Sequence, residues 1–542
     1  MINATELLRQ DRFTDLWSRY CGFIDLDIPL FMKIQEELLL EQLRLLHASK
    51  LGRKFLGDTA PESASEFRET VPLTTYSDYV EILNKKDESA LPAKPLFWAM
   101  TTGKPDEYDE KWAPYPYKMV LNNARAFLGA VIMSTAYGRG KFKFGYRKQF
   151  LYGMAPLPYI TGTIPYGLKY EYEFDYLPPY ESAEKMSFGK RNLTGFELGF
   201  QKGIDYFFGV ASVLVKVGDS FSNYLRTLKS LSLVKQPKKF LLLSKAYLKS
   251  RLFGRDILPR DVWKLTGIVC GGIDSALYAD RIEYFWGKKP LELYGGTEIG
   301  IVAFQAWNRK GMTFVPYTNF LEFIPWQEHE RNRLDPKYQP KTVLLNDLKA
   351  GELYEVVITS LNGGAFVRYR IGDLIKVISS SDDEIKINLP QVKFENRTED
   401  VIDIAGFTRL TERVIWQSLI NAKIQFKDWI AVKEISKKER EPFVHIYAEI
   451  VDNSLSESYI EELIHNSLKE LDHDYKDYEQ MIGRKPFKFT LVPKGIFLRV
   501  KNFARDDNNA IRGELSSIPH MNPPVNFVSK FLEILKKENN DS

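Results

Sequence analysis

Residues 294–300, which read YGGTEIG, combine several side-chain types that could act together on one ligand. Tyr294 could stack on a nucleotide base, and Gly295 and Gly296 would let backbone N–H groups approach a phosphate. Thr297 and Glu298 supply a hydroxyl and a carboxylate, which suit a phosphate and a Mg²⁺ ion. The same residues also fit a glycine turn between a strand and a helix, with the glutamate in the first helical turn. By itself, this run leaves nucleotide binding and a plain turn both open.

A second run, RYRIGDL at 368–374, places a glycine and an aspartate at the end of a predicted strand segment. Asp373 could accept both hydroxyls of a ribose, as acidic residues do in other nucleotide sites. The alternative is a β-hairpin turn of the Gly-Asp type, with Gly372 in the turn.

A third stretch, residues 394–412, carries several charged side chains at an apparent domain boundary. Arg397 and Arg409 could bind a phosphate through two hydrogen bonds each, and Gly406 marks a backbone position suited to an unusual φ angle. The alternative is a linker whose charges form surface ion pairs, which contribute little to stability.

A fourth stretch, residues 99–115, has the composition of part of a phosphate-binding loop. Thr101, Thr102 and Gly103 supply two hydroxyls and a glycine ahead of a lysine. Four acidic residues follow, namely Asp106, Glu107, Asp109 and Glu110. Each carboxylate held ~6 Å from a phosphate would cost roughly 3 kcal/mol at an effective dielectric constant of about 20, more than one hydrogen bond returns. These acids must therefore point away, or the loop does not hold a triphosphate.

Composition limits the classes of protein that these motifs can belong to. The chain has 542 residues, so two or more domains are expected. The 75 Lys and Arg against 71 Asp and Glu give a net charge of +4, which does not favour a nucleic-acid partner. Two cysteines and six scattered histidines argue against a disulfide scaffold and against a zinc hydrolase. The charged N-terminus does not fit a signal peptide, and no apolar run reaches the ~20 residues that cross a bilayer, so a cytoplasmic protein is expected.

The first 56 residues are predicted to be helical, because apolar residues recur at helical spacing. The face expected to be buried carries Ile34, Leu38 and Leu45. The next stretch, VPLTTYSDY at 71–79, is predicted to be a turn that leads into a helix, with Ser77 as the N-cap.

Two later segments have distinctive compositions. Residues 152–167 are rich in proline and glycine and are predicted to form a rigid irregular loop. Residues 226–264 carry 11 lysines and arginines against two acids on a helical pattern. One interpretation is a solvated pair of basic helices; the other is contact with an anionic membrane surface or an acidic partner.

The remaining pattern predicts an α/β protein with two domains. Strands are expected at 319–325, 351–359 and 370–379. After about residue 397 a smaller α+β unit is expected, with a strand at 443–451, a helix at 458–471 and a strand at 486–492. We therefore expect an N-terminal domain over 1–396 and a C-terminal domain over 397–542.

The order of the motifs resembles that of the adenylate-forming superfamily, which includes acyl-CoA synthetases, luciferases and peptide-synthetase adenylation domains. Within it, VPLTTYSDY, YGGTEIG, FVRYRIGDLIKV and VKFENRTEDVIDIAGFTRLTE are most similar to the auxin-responsive acyl acid amido synthetases and their bacterial relatives. The resemblance spans roughly residues 30–500. It implies a large N-terminal domain of β-sheets flanked by helices, with a β-barrel-like part, and a small mobile C-terminal cap.

The resemblance also implies a two-step ligase reaction. A carboxylate substrate attacks the α-phosphate of ATP, which gives an acyl adenylate and pyrophosphate, and an amine such as an amino acid then takes the acyl group. ATP and Mg²⁺ are the implied cofactors, and a cytoplasmic monomer is expected. Fixed donors and a metal suit this chemistry, because negative charge develops on the α-phosphate.

Eleven residues receive roles from this resemblance. The implied catalytic residues are Thr297, Glu298 and Arg409, with Glu298 also the Mg²⁺ ligand. The implied nucleotide-binding residues are Thr101, Thr102, Gly103, Tyr294, Gly295, Gly296, Asp373 and Arg397. In this scheme Tyr294 stacks on adenine, Asp373 binds the ribose hydroxyls and Arg397 contacts the ribose or the hinge.

The chain departs from the family pattern in two places. Its phosphate loop is shorter than usual. Residues 513–524, the segment that corresponds to the family's Lys-x-Pro-Arg, contain no lysine. Lys494 and Lys501 lie upstream at a different spacing. Either catalysis depends on Arg409, or the first half-reaction is weak, or the protein does not turn over. Two alternatives to the amide-forming ligase therefore stay open: an acyl-CoA ligase with the same intermediate, and a non-catalytic protein that binds a nucleotide or a carboxylate.

Overall fold

The structure is a computed structural model, and it describes residues 2–102, 110–186, 188–227, 237–271, 275–335, 337–397, 401–405, 408–451, 455–497, 499–500, 520–523 and 525–541. The chain divides into two compact units. The larger is formed by Met1–Gly103 and Asp109–Thr398, and the smaller contains Glu399–Ser542. Among the described residues, no helix is both long enough and apolar enough to cross a bilayer.

The N-terminal segment is helical, as predicted. Its helices are α1 (Ala4–Arg9), α2 (Phe13–Cys21), α3 (Ile28–His47), α4 (Lys50–Leu56), α5 (Ala64–Thr70) and α6 (Val80–Leu83), and short 3-10 helices cover Gly22–Asp25, Tyr76–Asp78 and Glu88–Ala90. Four helices begin where a polar side chain accepts a hydrogen bond from a first-turn N–H. These caps are Asn3, Asp27, Ser49 and Ser63, at the starts of α1, α3, α4 and α5.

The buried face of α3 differs from the predicted one. Its buried residues are Phe31, Gln35, Leu39, Gln42, Leu43 and Leu46. The predicted face, Ile34, Leu38 and Leu45, is only partly buried. The prediction was wrong because two positions of the buried face are glutamines, which the spacing of apolar residues does not mark.

Both glutamines are buried because each satisfies backbone groups of another segment. Gln42 Nε2 donates to the Gly364 carbonyl at 2.9 Å, and its Oε1 accepts from the Gly363 N–H at 2.8 Å. Gln35 Nε2 donates in the same way to the Asn319 carbonyl at 2.7 Å. A buried amide that pairs with otherwise unpaired backbone groups is stable in a core.

The stretch VPLTTYSDY forms a 3-10 helix, and Ser77 is not its cap. The helix covers Tyr76–Asp78, and Thr75 is the N-cap. The Thr75 N–H donates to Asp78 Oδ2 at 2.8 Å, which completes a capping box with the acid three residues along. The prediction placed the cap two residues too late because it overlooked this acid.

The larger unit is built on one mixed sheet of 11 strands. A separate hairpin is formed by β1 (Pro95–Thr102) and β2 (Glu110–Pro116), and a small one by β3 (Ala136–Gly138) and β4 (Lys141–Phe142). The sheet strands are β5 (Gln149–Tyr152), β6 (Asp175–Leu177), β7 (Tyr206–Val210), β8 (Gly267–Gly271), β9 (Leu291–Gly296), β10 (Gly300–Gln305), β11 (Met312–Phe314), β12 (Asn319–Pro325), β13 (Leu353–Ser360), β14 (Tyr369–Ser379) and β15 (Gln391–Arg397). The strands predicted at 319–325, 351–359 and 370–379 are confirmed as β12, β13 and β14.

The sheet has a parallel half and an antiparallel half. Its strand order is β12, β13, β14, β15, β11, β10, β9, β8, β7, β5, β6, and β6, β5, β7, β8 and β9 are parallel. The middle of the parallel half is buried, as expected where helices connect the strands: every residue of β7 and all but the last residue of β8 are buried. The antiparallel strands, which the resemblance implied as a barrel-like part, belong to this same sheet. The structure thus confirms an α/β protein.

Nine helices of the described residues accompany the sheet. They are α7 (Tyr117–Thr135), α8 (Ile160–Glu171), α9 (Tyr180–Ala183), α10 (Phe188–Lys202), α11 (Ala211–Thr227), α12 (Pro237–Leu252), α13 (Pro259–Val262), α14 (Ser275–Trp286) and α15 (Trp326–Leu334), and a 3-10 helix covers Leu345–Asp347. The central α7 is buried along most of its length.

The helix α8 replaces much of the irregular loop that was predicted over 152–167. It begins at Ile160 and contains Pro165, which cannot donate to the carbonyl of Thr161 four residues earlier. The Tyr152 hydroxyl donates to that carbonyl instead. The prediction was wrong because a side chain from β5 satisfies the group that the proline leaves unpaired.

The smaller unit has the α+β composition that was predicted. Its elements are β16 (Val401–Ile404), β17 (Thr408–Thr411), α16 (Glu412–Asn421), β18 (Phe426–Ile435), β19 (Pro442–Ile450), α17 (Glu457–Leu471), α18 (His473–Ile482), β20 (Phe487–Leu491) and α19 (Val525–Asp541). The order β18, β19, β20 forms a sheet, with β19 and β20 parallel. Residues of α16, α17 and α18 pack with this sheet in one core cluster, and Phe531 and Leu535 of α19 pack in another.

Both cysteines of the chain are buried thiols of the larger unit. Cys21 ends α2 and Cys270 lies in β8, and neither forms a disulfide. Burial raises the pKa of Cys21, and burial, with a smaller effect of the Glu292 carboxylate, raises the pKa of Cys270. Neither thiol has the exposure or the low pKa of a reactive cysteine.

The buried amide of α3 gives a stability prediction. Replacing Gln42 with leucine leaves the Gly363 N–H and the Gly364 carbonyl buried without partners, so we expect the free energy of unfolding to fall by about 2 kcal/mol or more. Urea unfolding followed by tryptophan fluorescence measures the change. The matched control is the exposed neighbour Glu41, which is paired with Lys118 at 3.2 Å. Glu41→Leu should lower the free energy of unfolding by less than about 0.5 kcal/mol. Equal losses in the two variants would contradict the role of the amide.

His520 gives a pH prediction for the smaller unit. Its Nδ1 lies 2.6 Å from Glu412 Oε1, and its ring stacks on Trp429 with 4.4 Å between centroids. The pKa of His520 is raised, chiefly by Asp428 and then by Glu412, which together outweigh burial. Because the folded-state pKa lies above the unfolded value, this stabilisation is complete below a pH of about 6.5 and is lost as pH rises through the folded pKa.

Thermal unfolding between pH 5 and 9 tests this assignment. The Tm of the wild type should fall as pH rises through the folded pKa of His520, and His520→Gln should remove that component of the pH dependence. The exposed His473 is the control, and His473→Gln should keep the wild-type profile. An unchanged profile in His520→Gln would show that the histidine does not carry the effect.

Candidate nucleotide site

The run YGGTEIG forms a tight turn between two antiparallel strands, β9 and β10. Gly296 ends β9 and is the register partner of Gly300, which begins β10. Gly300 has φ +62°, and a Cβ there would lie 2.0 Å from Asn123 Oδ1. A Cβ on Gly295 would lie 2.4 Å from the Gly300 carbonyl oxygen. The alternative of a turn between a strand and a helix is wrong, because a strand follows the turn.

Two buried asparagines hold this turn from outside. Asn123 of α7 accepts a hydrogen bond from the Ile301 N–H at 2.7 Å. Asn319 of β12 donates to the Ile299 carbonyl at 2.6 Å. Because both backbone groups are satisfied by fixed side chains, the turn has little freedom to change its conformation.

The strand β2 contacts the same turn through Tyr115. Its hydroxyl donates to the Thr297 carbonyl at 2.6 Å. Burial raises the pKa of Tyr115, and the nearby Glu298 carboxylate adds to that rise. Thr297 and Glu298 are themselves half-buried, so their side chains are partly accessible to a ligand.

Tyr294 and Asp373, which the sequence assigned to adenine and ribose, are in direct contact. The Tyr294 hydroxyl donates to Asp373 Oδ2 at 2.9 Å. The exposed fractions of the two residues are 6% and 3%. Phe394 lies beside Tyr294, with 6.0 Å between ring centroids. Residues of three of the four predicted motifs therefore meet at one point of the larger unit.

Asp373 lies within the strand β14 and not in a hairpin turn. Gly372 has φ +77°, and the register of β14 with β15 shifts between Leu374 and Ile375. The register partner of Asp373 is Arg397, at the end of β15. The Gly-Asp hairpin alternative is thus wrong, and the backbones of two predicted nucleotide-binding residues are adjacent.

Thr74 and Tyr76, from VPLTTYSDY, connect two of the other motifs. Thr74 bridges to the edge of β14: its N–H donates to the Arg368 carbonyl at 3.0 Å, and its carbonyl accepts from the Arg370 N–H at 2.9 Å. The Tyr76 hydroxyl accepts from the Trp112 N–H of β2 at 2.6 Å. One short segment thereby links RYRIGDL to the β1–β2 hairpin.

A buried ion-pair network precedes Asp373, and sequence reasoning missed it. Arg370 donates through Nε and Nη2 to the two carboxylate oxygens of Glu355, at 2.8 and 2.7 Å. His329 Nδ1 lies 2.7 Å from the same carboxylate. Burial acts to raise the pKa of Glu355, but hydrogen bonds from Arg370 and His329 outweigh it, so the pKa is lowered. The only signal in the sequence was a glutamate inside the apolar strand LYEVVIT.

The predicted phosphate loop is described only at its base. Thr101 and Thr102 end β1, where they are register partners of Lys111 and Glu110 in β2. Gly103 and the acids Asp106, Glu107 and Asp109 lie outside the described residues. The Met100 N–H donates to the Pro158 carbonyl at 2.8 Å, so the segment that precedes α8 supports β1.

Arg409 belongs to the smaller unit, on the hairpin of β16 and β17. Its Nε lies 3.2 Å from Oδ2 of Asp403, its register partner. The ion pair that was the alternative for this arginine is therefore present. Gly406 and Lys501 lie outside the described residues, and Lys494 donates to the Val451 carbonyl at 3.2 Å.

Comparisons with known proteins agree with the motif order. Residues 312–397, which include Asp373 and Arg397, match the GH3 family central domain. The chain is 28% identical over 156 residues to the indole-3-acetic acid-amido synthetase GH3.15 of Arabidopsis thaliana, and 32% identical over 117 residues to the jasmonoyl–L-amino acid synthetase JAR4 of Nicotiana attenuata. These alignments cover 28% and 20% of this chain, and 25% and 19% of the relatives' lengths.

A solved structure, the GH3.15 acyl acid amido synthetase in complex with 2,4-DB, aligns over 97% of this chain and 95% of its own, at 16% identity and a TM-score of 0.48. Residues 312–397 thus match the model of a GH3 family central domain, and stretches of the chain are similar in sequence to amido synthetases, in agreement with the resemblance found in its motifs. The curated relatives are matched over well under half of their lengths.

The turn of β9 and β10 gives a prediction about Gly300. Gly300→Ala places a methyl group against Asn123 and should break the bond to the Ile301 N–H, so we expect a loss of about 3 kcal/mol in the free energy of unfolding. Gly351→Ala is the matched control, because Gly351 has φ +88° but open space around the added Cβ. Gly351→Ala should lower the free energy of unfolding by only ~1 kcal/mol, which is the cost of placing alanine in the left-handed conformation. Denaturant unfolding compares the two variants, and equal losses would refute the close approach.

Proposed function

We propose that the protein is an AMP-forming ligase that activates a carboxylic acid with ATP and transfers the acyl group to an amine such as an amino acid. The observation that carries the proposal is the contact of Tyr294 with Asp373, within a chain whose central domain matches the GH3 family. The names of its relatives, as amido synthetases, support transfer to an amine.

In the proposed site, Asp373 accepts the ribose hydroxyls and Tyr294 lies against the adenine while its hydroxyl orients the Asp373 carboxylate. Arg397, adjacent to Asp373 in register, contacts the ribose or the hinge. The turn presents Gly295 and Gly296 to the nucleotide. The backbone of this turn is held by the buried Asn123 and Asn319, so it needs little reorganisation when ATP binds.

The phosphates and metal extend from the turn toward the β1–β2 hairpin. Thr297 contacts the α-phosphate, and Thr101, Thr102 and Gly103 contact the remaining phosphates. The Glu298 carboxylate binds Mg²⁺, which neutralises charge on the phosphates as the carboxylate substrate attacks. The contact of Tyr115 with Thr297 supports this geometry, because it fixes the turn against the strand that follows the loop.

We propose further that residues 1–396 form the adenylate-forming domain and 397–542 a mobile cap. Arg409 supplies the positive charge that the absent C-terminal lysine supplies in the family. Its ion pair with Asp403 holds the guanidinium in one orientation until the phosphate is engaged. The enzyme acts as a monomer in the cytoplasm, where ATP and free amino acids are available.

Carboxylate-dependent exchange of pyrophosphate into ATP tests the first half-reaction. The wild type should show exchange with at least one acid of a panel of aryl and fatty acids. Asp373→Asn should weaken ATP binding at least about 10-fold, and Glu298→Gln should lower the exchange rate at least about 100-fold with little effect on ATP affinity.

The exposed acid Glu283 on α14, paired with Lys289 at 3.6 Å, provides the control. Glu283→Gln should match the wild type in both measurements. If Glu298→Gln leaves the exchange rate unchanged, the assignment of Glu298 to Mg²⁺ is wrong. If Asp373→Asn leaves the affinity for ATP unchanged, the assignment of Asp373 to the ribose is wrong. Analysis of the products formed with amino acids and with coenzyme A then separates an amide-forming ligase from a thioester-forming one. If no acid of the panel supports pyrophosphate exchange, the protein is non-catalytic.

A further inference from the structure

The helix α12, residues Pro237–Leu252, exposes an unusual number of apolar side chains. Leu241, Leu248 and Leu252 have exposed fractions of 56%, 68% and 81%. Their spacings of seven and four residues place them on one side of the helix, and we call them the leucine stripe. Phe253, directly after the helix, is 62% exposed and continues this surface. Apolar side chains grouped in this way indicate a binding surface more often than chance exposure.

Basic residues border the leucine stripe along its length. Lys238 and Lys245 each precede a stripe leucine by three residues, so each lies beside it on the helix surface. Both lysines are exposed, and no ion pair of theirs occurs in the described part of the chain. No acidic residue occurs between Pro237 and Arg255. The outward face of α12 is therefore both apolar and positively charged.

The opposite face of α12 is attached to the body of the larger unit. Lys239, Ala246 and Ser250 are buried and repeat the spacing of seven and four residues. Lys239 Nζ lies 3.2 Å from Glu197 of α10 and 4.3 Å from the centroid of the Phe200 ring. Lys249 adds an ion pair of 3.2 Å to Asp261. The helix is fixed by these contacts, so its leucines stay exposed and do not turn inward.

We propose that the outward face of α12 binds the surface of a membrane that contains anionic lipids. The leucine stripe enters the boundary between headgroups and acyl chains, and Lys238 and Lys245 remain beside it at the level of the anionic headgroups. The leucine stripe lies along the exposed side of a single helix, among basic side chains. A lipid interface accommodates such a surface directly, whereas a folded partner would need a matching apolar groove. The proposal does not depend on the ligase reaction.

Vesicle sedimentation with the full chain tests the proposal. The wild type should sediment with vesicles of mixed phosphatidylcholine and phosphatidylglycerol, and less with pure phosphatidylcholine or at high salt. Lys238→Glu with Lys245→Glu should weaken binding at least about 25-fold, since each lysine near an anionic surface contributes about five-fold. Serine at all three stripe positions should weaken binding at least about 30-fold.

The control variant combines Leu30→Ser and Ile420→Ser, which change two exposed apolar residues outside α12, 46% and 48% exposed. It should bind vesicles like the wild type, and all variants should keep the wild-type Tm because the changed residues are exposed. Equal binding to the two kinds of vesicle, or full binding by the serine variant, would overturn the proposal. If the wild type does not sediment with vesicles but is retained on an immobilised acidic polypeptide, the face binds a protein partner. That result would also overturn the membrane proposal.

Discussion

The hydrogen bond between Tyr294 and Asp373 depends on the shape of the whole sheet. The two residues lie on β9 and β14, which are separated by β10, β11 and β15 in the strand order. Their side chains meet across three intervening strands, so the sheet must curve between β9 and β14, and β11 is the shortest of those strands. This strand has three residues and joins β15 through a single register pair, Met312 with Val392.

Several further contacts follow from that curvature. Once β14 approaches the turn after β9, the segment around Thr74 can pair with the edge of β14, while Tyr76 reaches the backbone of β2. The hairpin of β1 and β2 is then held against the turn through Tyr115. Buried polar side chains make most of these connections. They satisfy backbone groups that the sheet ladders leave unpaired, and they fix one arrangement of the surrounding strands.

Local patterns predicted a large part of this architecture. The strands β12, β13 and β14 and the N-terminal helices were identified because their side-chain periodicity depends only on neighbouring residues. The order of motifs likewise indicated the family whose central-domain model matches residues 312–397. Two side chains that the motifs assigned to one ligand, Tyr294 and Asp373, are in contact. The assignments of Tyr294 to adenine and Asp373 to the ribose stay predictions. So do those of the other site residues to phosphate, metal and hinge, namely Thr101, Thr102, Gly103, Gly295, Gly296, Thr297, Glu298, Arg397 and Arg409.

The features that the sequence did not reveal share one physical cause. Gln42 in α3, Tyr152 beneath α8 and Glu355 in β13 are polar residues that are buried because a distant segment supplies their partners. Periodicity assigns such residues to the surface, since it has no information about contacts between segments. His329 and Arg370 both bind Glu355, which is distant from each of them in sequence, so their role could not be read from spacing along the chain.

The location of the two thiols has a practical consequence. Because Cys21 and Cys270 are both buried and their pKa values are raised, a maleimide dye has no accessible native thiolate to attack. A cysteine introduced at an exposed position of each unit can therefore carry a fluorophore without prior removal of the natural ones. Energy transfer between two such dyes would report the distance between the units in solution as ATP, an acid and an amine are added in turn.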